Sequence, residues 1–306
     1  MVPNPLYLAG PTAAGKSGLA VALAKRWDAE IVSADPFQLF DALPVLTARP
    51  GPEELGAAPH HLYGTVPSDA PMDAARYRSL AQPLVEGLVR QGRQVIVVGG
   101  SGLYLKVLTH GLDPLPPPDP VLRAELEARP LADLATELRE LDPCTAARID
   151  LRNPRRVVRA LEVCRLAGRP LSECRKAWDA PVSSLLGLLL DPGPEVLQAR
   201  IAARIDAMFA AGVVGEVGGA ERIGPALAQA IGFREIKALL AGQSDAAACR
   251  EAILHATMRY AKRQRTWFRK QPGYLRIETA QPSAAEERLS DGPPGGNESW
   301  TRPAHP

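Results

Sequence analysis

The sequence predicts an α/β fold: a parallel sheet built around a phosphate loop and interrupted by a helical insertion. Three observations carry that expectation. Gly10-Pro11-Thr12-Ala13-Ala14-Gly15-Lys16-Ser17 is a complete Gly-x4-Gly-Lys-Ser motif set between a short apolar run, Leu6 to Ala9, and a helical pattern. Further short apolar runs at 30–34, 95–98 and 185–190 alternate with helical patterns, as the strands of a parallel sheet do. From Val121 to about Ser184 the periodicity is helical only, and this stretch follows a proline-rich linker, Asp113 to Pro120. The core is therefore split as 1–115 and 185–279 around an insertion at 116–184.

The order strand, loop, helix is what the motif's chemistry needs. Glycines let the backbone wrap an anion, while successive N–H groups and the N-terminus of a helix from Gly18 to Trp27 supply positive potential. Lys16 adds a point charge, and the Ser17 hydroxyl suits a Mg2+ that bridges two phosphates. A nucleoside triphosphate and a prenyl diphosphate present the same group to such a loop, so the ligand stays open at this point. Glu30 to Ala34 is a second strand and delivers Asp35 at its carboxyl end, where open parallel sheets place their ligand crevice. The alternative is a turn aspartate capping Pro36-Phe37-Gln38. Residues 41–72, rich in Pro, Gly and Ala, predict a long functional loop. The adjacent His60 and His61 point to packing or substrate contact, because neighbours in a regular element cannot both face one metal.

Leu80, Leu84 and Leu88 predict a helix over 73–90 that Pro83 kinks or delays. Val95 to Val98 is a buried strand. It ends in Gly99-Gly100-Ser101-Gly102, without the Asp by which many phosphate-loop nucleotidases hold magnesium, and turns into a helix through Leu103, Val107 and Leu108. In the insertion, Asn153 caps the main helix and Pro154 opens it. Val157, Leu161 and Cys164 bury one face of that helix; Arg155 and Arg159 share another, either for a ligand or as a solvated surface partnered by Glu162 and Glu173. After the strand at 185–190 a helix turns Leu197, Ile201 and Met208 inward and holds Arg200 and Arg204 four apart, one of them placed to reach a diphosphate. Gly212 to Gly224 is loosely helical. The last long helix follows Ser244 and Asp245 and carries basic residues interleaved with aromatics from Arg259 to Lys270. That composition suits a nucleic-acid backbone and unstacked bases, or else a basic helix end favoured by the dipole. Tyr274 to Ile277 is a final strand, and 280–306 a disordered tail.

Composition narrows the class. The chain has 306 residues with 46% hydrophobic content, enough for a substantial globular core. A formal net charge of +2 hides arginines crowded into 148–176 and 259–270, local clusters that suit a polyanion. Cys144, Cys164, Cys174 and Cys249 form no Cys-x-x-Cys pair and have no His at zinc spacing; three lie in helical patterns, so reduced thiols in a cytoplasmic protein are expected. No apolar run approaches the roughly 20 residues of a membrane span, and no leader precedes the first strand. A monomer that meets no membrane is expected.

These landmarks together resemble the tRNA dimethylallyltransferase (tRNA isopentenyltransferase) family over nearly all of residues 4–279. They are the phosphate loop; Ser33 to Pro50 with Asp35, Gln38 and Thr47-Ala48-Arg49; Pro59-His60-His61-Leu62; Val98-Gly99-Gly100-Ser101-Gly102-Leu103-Tyr104; Asn153-Pro154-x-Arg156-x-x-Arg159-Ala160-Leu161-Glu162; Ile231-Gly232-Phe233-Arg234-Glu235; and Lys262-Arg263-Gln264-x-x-Trp267. The resemblance implies a P-loop NTPase-like core. It also implies transfer of a dimethylallyl group from dimethylallyl diphosphate to N6 of the adenosine beside the anticodon, position 37, of tRNAs reading codons that begin with U. Gly10, Pro11, Thr12, Ala13, Ala14, Gly15, Lys16, Ser17 and Arg204 would hold the diphosphate, with Mg2+ as cofactor on Ser17. Asp35 would be the base, with Thr12, Ser17 and Arg204 completing the catalytic set. Contacts to the tRNA anticodon arm would come from Asp35, Pro36, Phe37, Gln38, Ser101, Arg123, Arg155, Arg156, Arg159, Gln229, Gly232, Lys262, Arg263, Trp267 and Arg269. Several positions depart from the family pattern: Pro36 replaces Ser, Phe40 Tyr, Ala42, Pro44 and Leu46 Gly, Asp and Gly, and Ser17 and Ser101 the commoner Thr. A small-molecule kinase using ATP in the same loop and a non-catalytic phosphate-loop RNA binder are the rival readings.

Overall fold

The computed structural model describes residues 4–176, 178 and 185–278. The chain forms two compact units, one of them His110–Pro181 and the other the remainder. In chain order the larger unit opens with β1 (Leu6–Ala9), α1 (Lys16–Trp27), β2 (Ala29–Ser33), α2 (Pro52–Ala57), β3 (His60–His61), α3 (Ala74–Arg90), β4 (Gln94–Gly99) and α4 (Gly102–Thr109). The smaller unit holds α5 (Pro120–Glu127), α6 (Leu131–Leu141), α7 (Pro143–Arg148), α8 (Pro154–Ala167) and α9 (Leu171–Cys174). The larger unit resumes with β5 (Leu186–Leu190), α10 (Pro194–Ala210), α11 (Val213–Gly218), a 3-10 turn at Leu227–Gln229, α12 (Phe233–Leu240), α13 (Ala246–Phe268) and β6 (Tyr274–Ile277). The expected tail at 280–306, and the end of the expected insertion up to 184 apart from Trp178, lie outside the described residues.

The strands form one parallel sheet in the order β3-β2-β4-β1-β5-β6. Its central members are apolar without alternation, because both faces are covered: Val95 to Val98 and Leu186 to Leu190 are buried throughout. Leu6 of β1 stands opposite both Ile96 and Leu186, so the strand before the phosphate loop lies in mid-sheet. The chain thus leaves β1, β2, β4 and β5 at one edge of the sheet, and Gly10, Asp35, Gly100 and Asp191 emerge there together. This is the side on which open parallel sheets bind ligands.

Three local expectations change. The first helix begins at Lys16 rather than Gly18, because Gly15 takes a left-handed φ of 95° and turns the chain into it. In α3 the buried stripe is Tyr77, Ala81, Val85 and Leu88, whereas Leu80 is 43% exposed. Asp73 caps this helix by accepting the Arg76 N–H at 2.9 Å, and Pro83 sits on its exposed side without delaying it. The long loop at 41–72 contains α2 and β3, which pairs with β2. There His61 Nε2 meets Glu30 Oε2 at 2.7 Å, and His60 Nδ1 meets the Ala58 carbonyl at 2.7 Å. The two histidines are thus used in packing.

The smaller unit has its own core from Leu126, Leu134, Leu138, Val157, Leu161 and Leu171. The Asn153 side chain caps α8 from the Arg156 N–H, as expected. Glu162 is fully buried and accepts Arg123 at 2.7 Å, Arg159 at 2.6 Å and the Asp119 N–H at 2.9 Å. Arg159 also donates to the Pro116 carbonyl, and Leu115 packs on the core, so the proline segment is anchored to this unit rather than left as a spacer. All four cysteines lie in helices, one more than expected, and are free thiols. No helix among the described residues is long and apolar enough to cross a membrane.

Candidate active site

The phosphate loop is built by backbone that only special residues accept. Gly10, Ala13 and Gly15 have φ of 156°, 63° and 95°. Gly10 is required by space as well as by angle, since a Cβ there would collide with the main-chain carbonyl of Leu190 on β5. The N-terminus of α1 that follows has no side-chain cap, so the first-turn N–H groups of Lys16 and Ser17 remain for an anion. Lys16 folds back to donate to the Pro11 carbonyl at 2.8 Å. Burial of its ammonium lowers its pKa to about 8, against the opposing pull of Asp35 and with the help of Arg204.

A cleft opens beside the loop, lined by Thr12, Asp35, Arg204 and Tyr260 on its polar side and by Phe37, Leu46, Ile205, Met208, Ala230, Ile231 and Ile253 on its apolar side. Asp35 follows β2 after a single residue, Ala34. Its Oδ1 accepts the N–H groups of Phe37 at 2.9 Å and Gln38 at 3.4 Å, and among the described residues nothing donates to Oδ2. Pro36 therefore removes no bond that Asp35 uses, and its fixed φ suits the first position of this turn. The carboxylate dominates the local field. Burial raises the phenols of Tyr63, Tyr77, Tyr104 and Tyr260 above their ordinary range, and Asp35 adds to the rise in each, so all four stay neutral. Burial likewise pulls the Arg204 guanidinium down while Asp35 pulls it up. The Nε of Arg204 is buried without a hydrogen-bond partner. A buried, incompletely used guanidinium beside a phosphate loop is a site built for an anion.

The loop after Asp35, where the sequence departs from the family pattern, is tied down by other groups. Glu216 on α11 accepts the Val45 N–H at 2.8 Å and the Leu46 N–H at 2.9 Å. Gln38 Nε2 donates to the carbonyls of Thr47 and Ala48, and Arg49 donates to that of Phe40. Gly232, with φ 100°, packs against Leu46 and starts α12. Gln229 lies in the turn just before, its amide donating to the Pro225 carbonyl.

The other expected site residues are distributed unevenly. Ser101 opens α4, its hydroxyl accepting the Tyr104 N–H at 3.3 Å. Lys262, Arg263 and Arg269 are exposed on α13, with Arg269 sharing the buried Asp191 carboxylate with Arg265 and Arg276. Trp267 does not stand out as a stacking platform: its ring lies against Gly102, where a Cβ would overlap it, and meets Phe268 edge-on at 4.9 Å. In the smaller unit Arg155 and Arg156 are exposed, whereas Arg123 and Arg159 are committed to Glu162. Of the pair on α10, Arg204 faces the cleft and Arg200 donates to the Ala13 and Ala14 carbonyls of the phosphate loop at 3.3 and 3.0 Å. Sequence reasoning left open which of Arg200 and Arg204 reaches the phosphate, placed Tyr260 and Gln264 in a stretch suited to nucleic acid rather than beside the phosphate loop, and did not single out Glu216. One signal was available: Ile253, Thr257, Ala261, Gln264 and Phe268 form the buried stripe of α13, and a polar residue on such a stripe needs partners.

A family model described as IPP transferase matches residues 38–271. A Bordetella petrii protein called tRNA dimethylallyltransferase is 41% identical over 285 residues, 89% of this chain and 91% of that one. A solved tRNA isopentenylpyrophosphate transferase from Bacillus halodurans is similar with a TM-score of 0.68 at 30% identity, over 94% of this chain and 96% of that one. A eukaryotic dimethylallyltransferase solved acting on tRNA shares the fold, with a TM-score of 0.77 at 24% identity over 95% of this chain and 80% of that one.

Proposed function

This chain belongs to the IPP transferase family of tRNA dimethylallyltransferases, and we propose that it transfers the dimethylallyl group of dimethylallyl diphosphate to N6 of the adenosine at position 37, beside the anticodon, of tRNAs reading codons that begin with U. The observation that carries the reading is one cleft holding an incompletely used buried guanidinium, Arg204, and a carboxylate with one open oxygen, Asp35.

The diphosphate sits on the N–H groups at the start of α1, with Lys16, Arg204 and Thr12 on its oxygens. The five-carbon chain lies along Leu46, Ile205 and Met208. The exocyclic amine attacks the allylic carbon as the C–O bond to diphosphate breaks; the diphosphate keeps that electron pair, and Asp35 Oδ2 takes the N6 proton. A weak nucleophile gains from such a base by a factor of roughly 10² to 10⁴, and Lys16 with Arg204 stabilises the departing charge. Among the described residues no group of three His, Cys, Asp or Glu could hold a metal unaided. A hydroxyl and phosphate oxygens are hard oxygen donors of the kind Mg2+ takes, so the ion would be held by Ser17 and the substrate's own phosphate oxygens and would neutralise charge on the leaving group. The exposed Lys262, Arg263, Arg155 and Arg156 provide sequence-independent contacts to RNA phosphates, while the base leaves its stack to reach the carboxylate.

The test is transfer of radiolabelled dimethylallyl to unmodified tRNA with Mg2+ and no ATP, in wild type and Asp35→Asn. Asparagine keeps an oxygen for the Phe37 and Gln38 N–H groups but cannot take the proton. Label on the adenosine beside the anticodon, lost about 10²-fold or more in the variant with tRNA binding retained, is the expected result. An inert wild type that phosphorylates a small molecule from ATP would replace this reading with a kinase, and one that only binds tRNA would make it a binding protein.

A further inference from the structure

We infer that Gln264 is a positioning residue for the diphosphate loop: its side-chain amide locks the backbone of Thr12 to the turn that ends β4, and so sets where the Thr12 side chain stands in the cleft. The inference rests on the reading of Gly10 to Ser17 as the diphosphate site.

Gln264 is 6% exposed, on an inward position of α13 that an apolar residue would fill with less desolvation. Both ends of its amide are used. Oε1 accepts the Thr12 N–H at 2.9 Å, and Nε2 donates to the Gly100 carbonyl at 2.8 Å. A donor on one side and an acceptor on the other permit only one orientation of the amide. Tyr260, one turn earlier on the same helix, itself lines the cleft. Gly100 keeps the seat open, since a Cβ there would overlap Nε2.

The consequence for the loop is specific. Tying the Thr12 N–H to α13 withdraws it from the set that faces a phosphate and fixes the residue just before Ala13, whose φ of 63° is one that a non-glycine residue holds only under constraint from its surroundings. The loop therefore owes part of its shape to an amide that arrives from about 250 residues further along the chain. The same helix turn exposes Lys262 and Arg263 on its other side.

Three variants of the full chain test this: Gln264→Met, which keeps length and removes the amide; Thr12→Ala, which keeps the N–H and removes the side chain; and the double variant. Gln264→Met should lower kcat about 10- to 100-fold with KM for tRNA within about twofold, and the double variant should be no worse than the poorer single one, because Gln264 acts through Thr12. Losses that multiply in the double variant, or a Gln264→Met defect confined to KM for tRNA, would overturn the inference. Hydrogen exchange gives a readout that needs no turnover: the Thr12 amide should exchange about tenfold faster in Gln264→Met than in wild type, and equal rates would also overturn it. A wild type that transfers nothing yet shows this exchange difference would fail the functional reading while keeping the role of Gln264.

Discussion

Lys16 offers a measurable consequence of burial. Its amine is lowered from the usual 10.5 to about 8, so the free protein loses this positive charge as pH rises through about 8, well before an ordinary lysine would. If the diphosphate binds the charged form, affinity should be nearly flat below that value and fall above it. Single-site titration puts the protonated fraction at about 0.9 at about pH 7 and about 0.03 at about pH 9.5, a loss of about 30-fold; an unshifted lysine would lose only about 1.1-fold over the same span. The assay is calorimetric binding of dimethylallyl diphosphate without tRNA across this range, in wild type and Lys16→Arg. Arginine stays charged throughout, so its curve should lack the decline and also corrects for ionisation of the ligand and other groups. A wild-type affinity that changes no more than that of Lys16→Arg up to about pH 9.5 would refute the assignment of Lys16 as a buried phosphate ligand. The same depressed pKa makes the charged Lys16 a stability liability that deprotonation relieves: the unfolded chain holds the proton between about 8 and 10.5, so this residue's contribution to stability improves as pH rises through that window.

Glu162→Ala should leave Arg123 and Arg159 without their shared buried carboxylate and lower stability by about 3 kcal/mol, read from chemical denaturation of the full chain; a change under about 1 kcal/mol would show that the cluster is solvated in practice. Burial alone would raise the Glu162 carboxyl, but hydrogen bonds from Arg159, Arg123 and the Asp119 N–H hold it below its usual value. Its contribution is therefore present above the unfolded carboxyl pKa and lost as pH falls through the folded one, a loss that acid titration of Glu162→Gln should lack. Gly10→Ala forces a methyl against the Leu190 main-chain carbonyl, which cannot rotate away, so about 1–3 kcal/mol of stability and the diphosphate affinity should fall together; unchanged calorimetric stability would contradict the packing described for β1 and β5.

Five of the six strands were legible as short, sharply bounded runs, and β1 and β6 fall where the sequence places them, whereas β3, the polar pair His60–His61, carries no such signal. Asp73, Asn153 and Asp245 start α3, α8 and α13 because a short polar side chain before a periodic stretch has one dominant use. Thr12, Asp35 and Arg204 do line one cleft. What the sequence hides is which of two similar stripes a helix buries. On α3, Leu80-Leu84-Leu88 and Tyr77-Ala81-Val85-Leu88 both fit the helical period, and the position of the sheet decides between them. On α10 the arginine stripe is not a solvent face, because Arg200 and Arg204 meet the loop after β1. Pairings such as Gln264 with Thr12 or Glu216 with Val45 join segments with no local relation, and no periodicity announces them.

The mid-sheet place of β1 also orders events in time. On one side Leu6 pairs with β4, but on the other its neighbour is Leu186 of β5, made roughly 180 residues later. At ribosomal speeds of about 5–20 residues per second this is a wait of about 10–35 s, during which one edge of the strand has nothing to bond. The smaller unit draws its core from residues between 115 and 171 and has all of that material before β5 exists. A nascent chain halted between the two carries a finished helical unit and an open, apolar sheet edge, the species that chaperones must hold and that truncated transcripts release as aggregate.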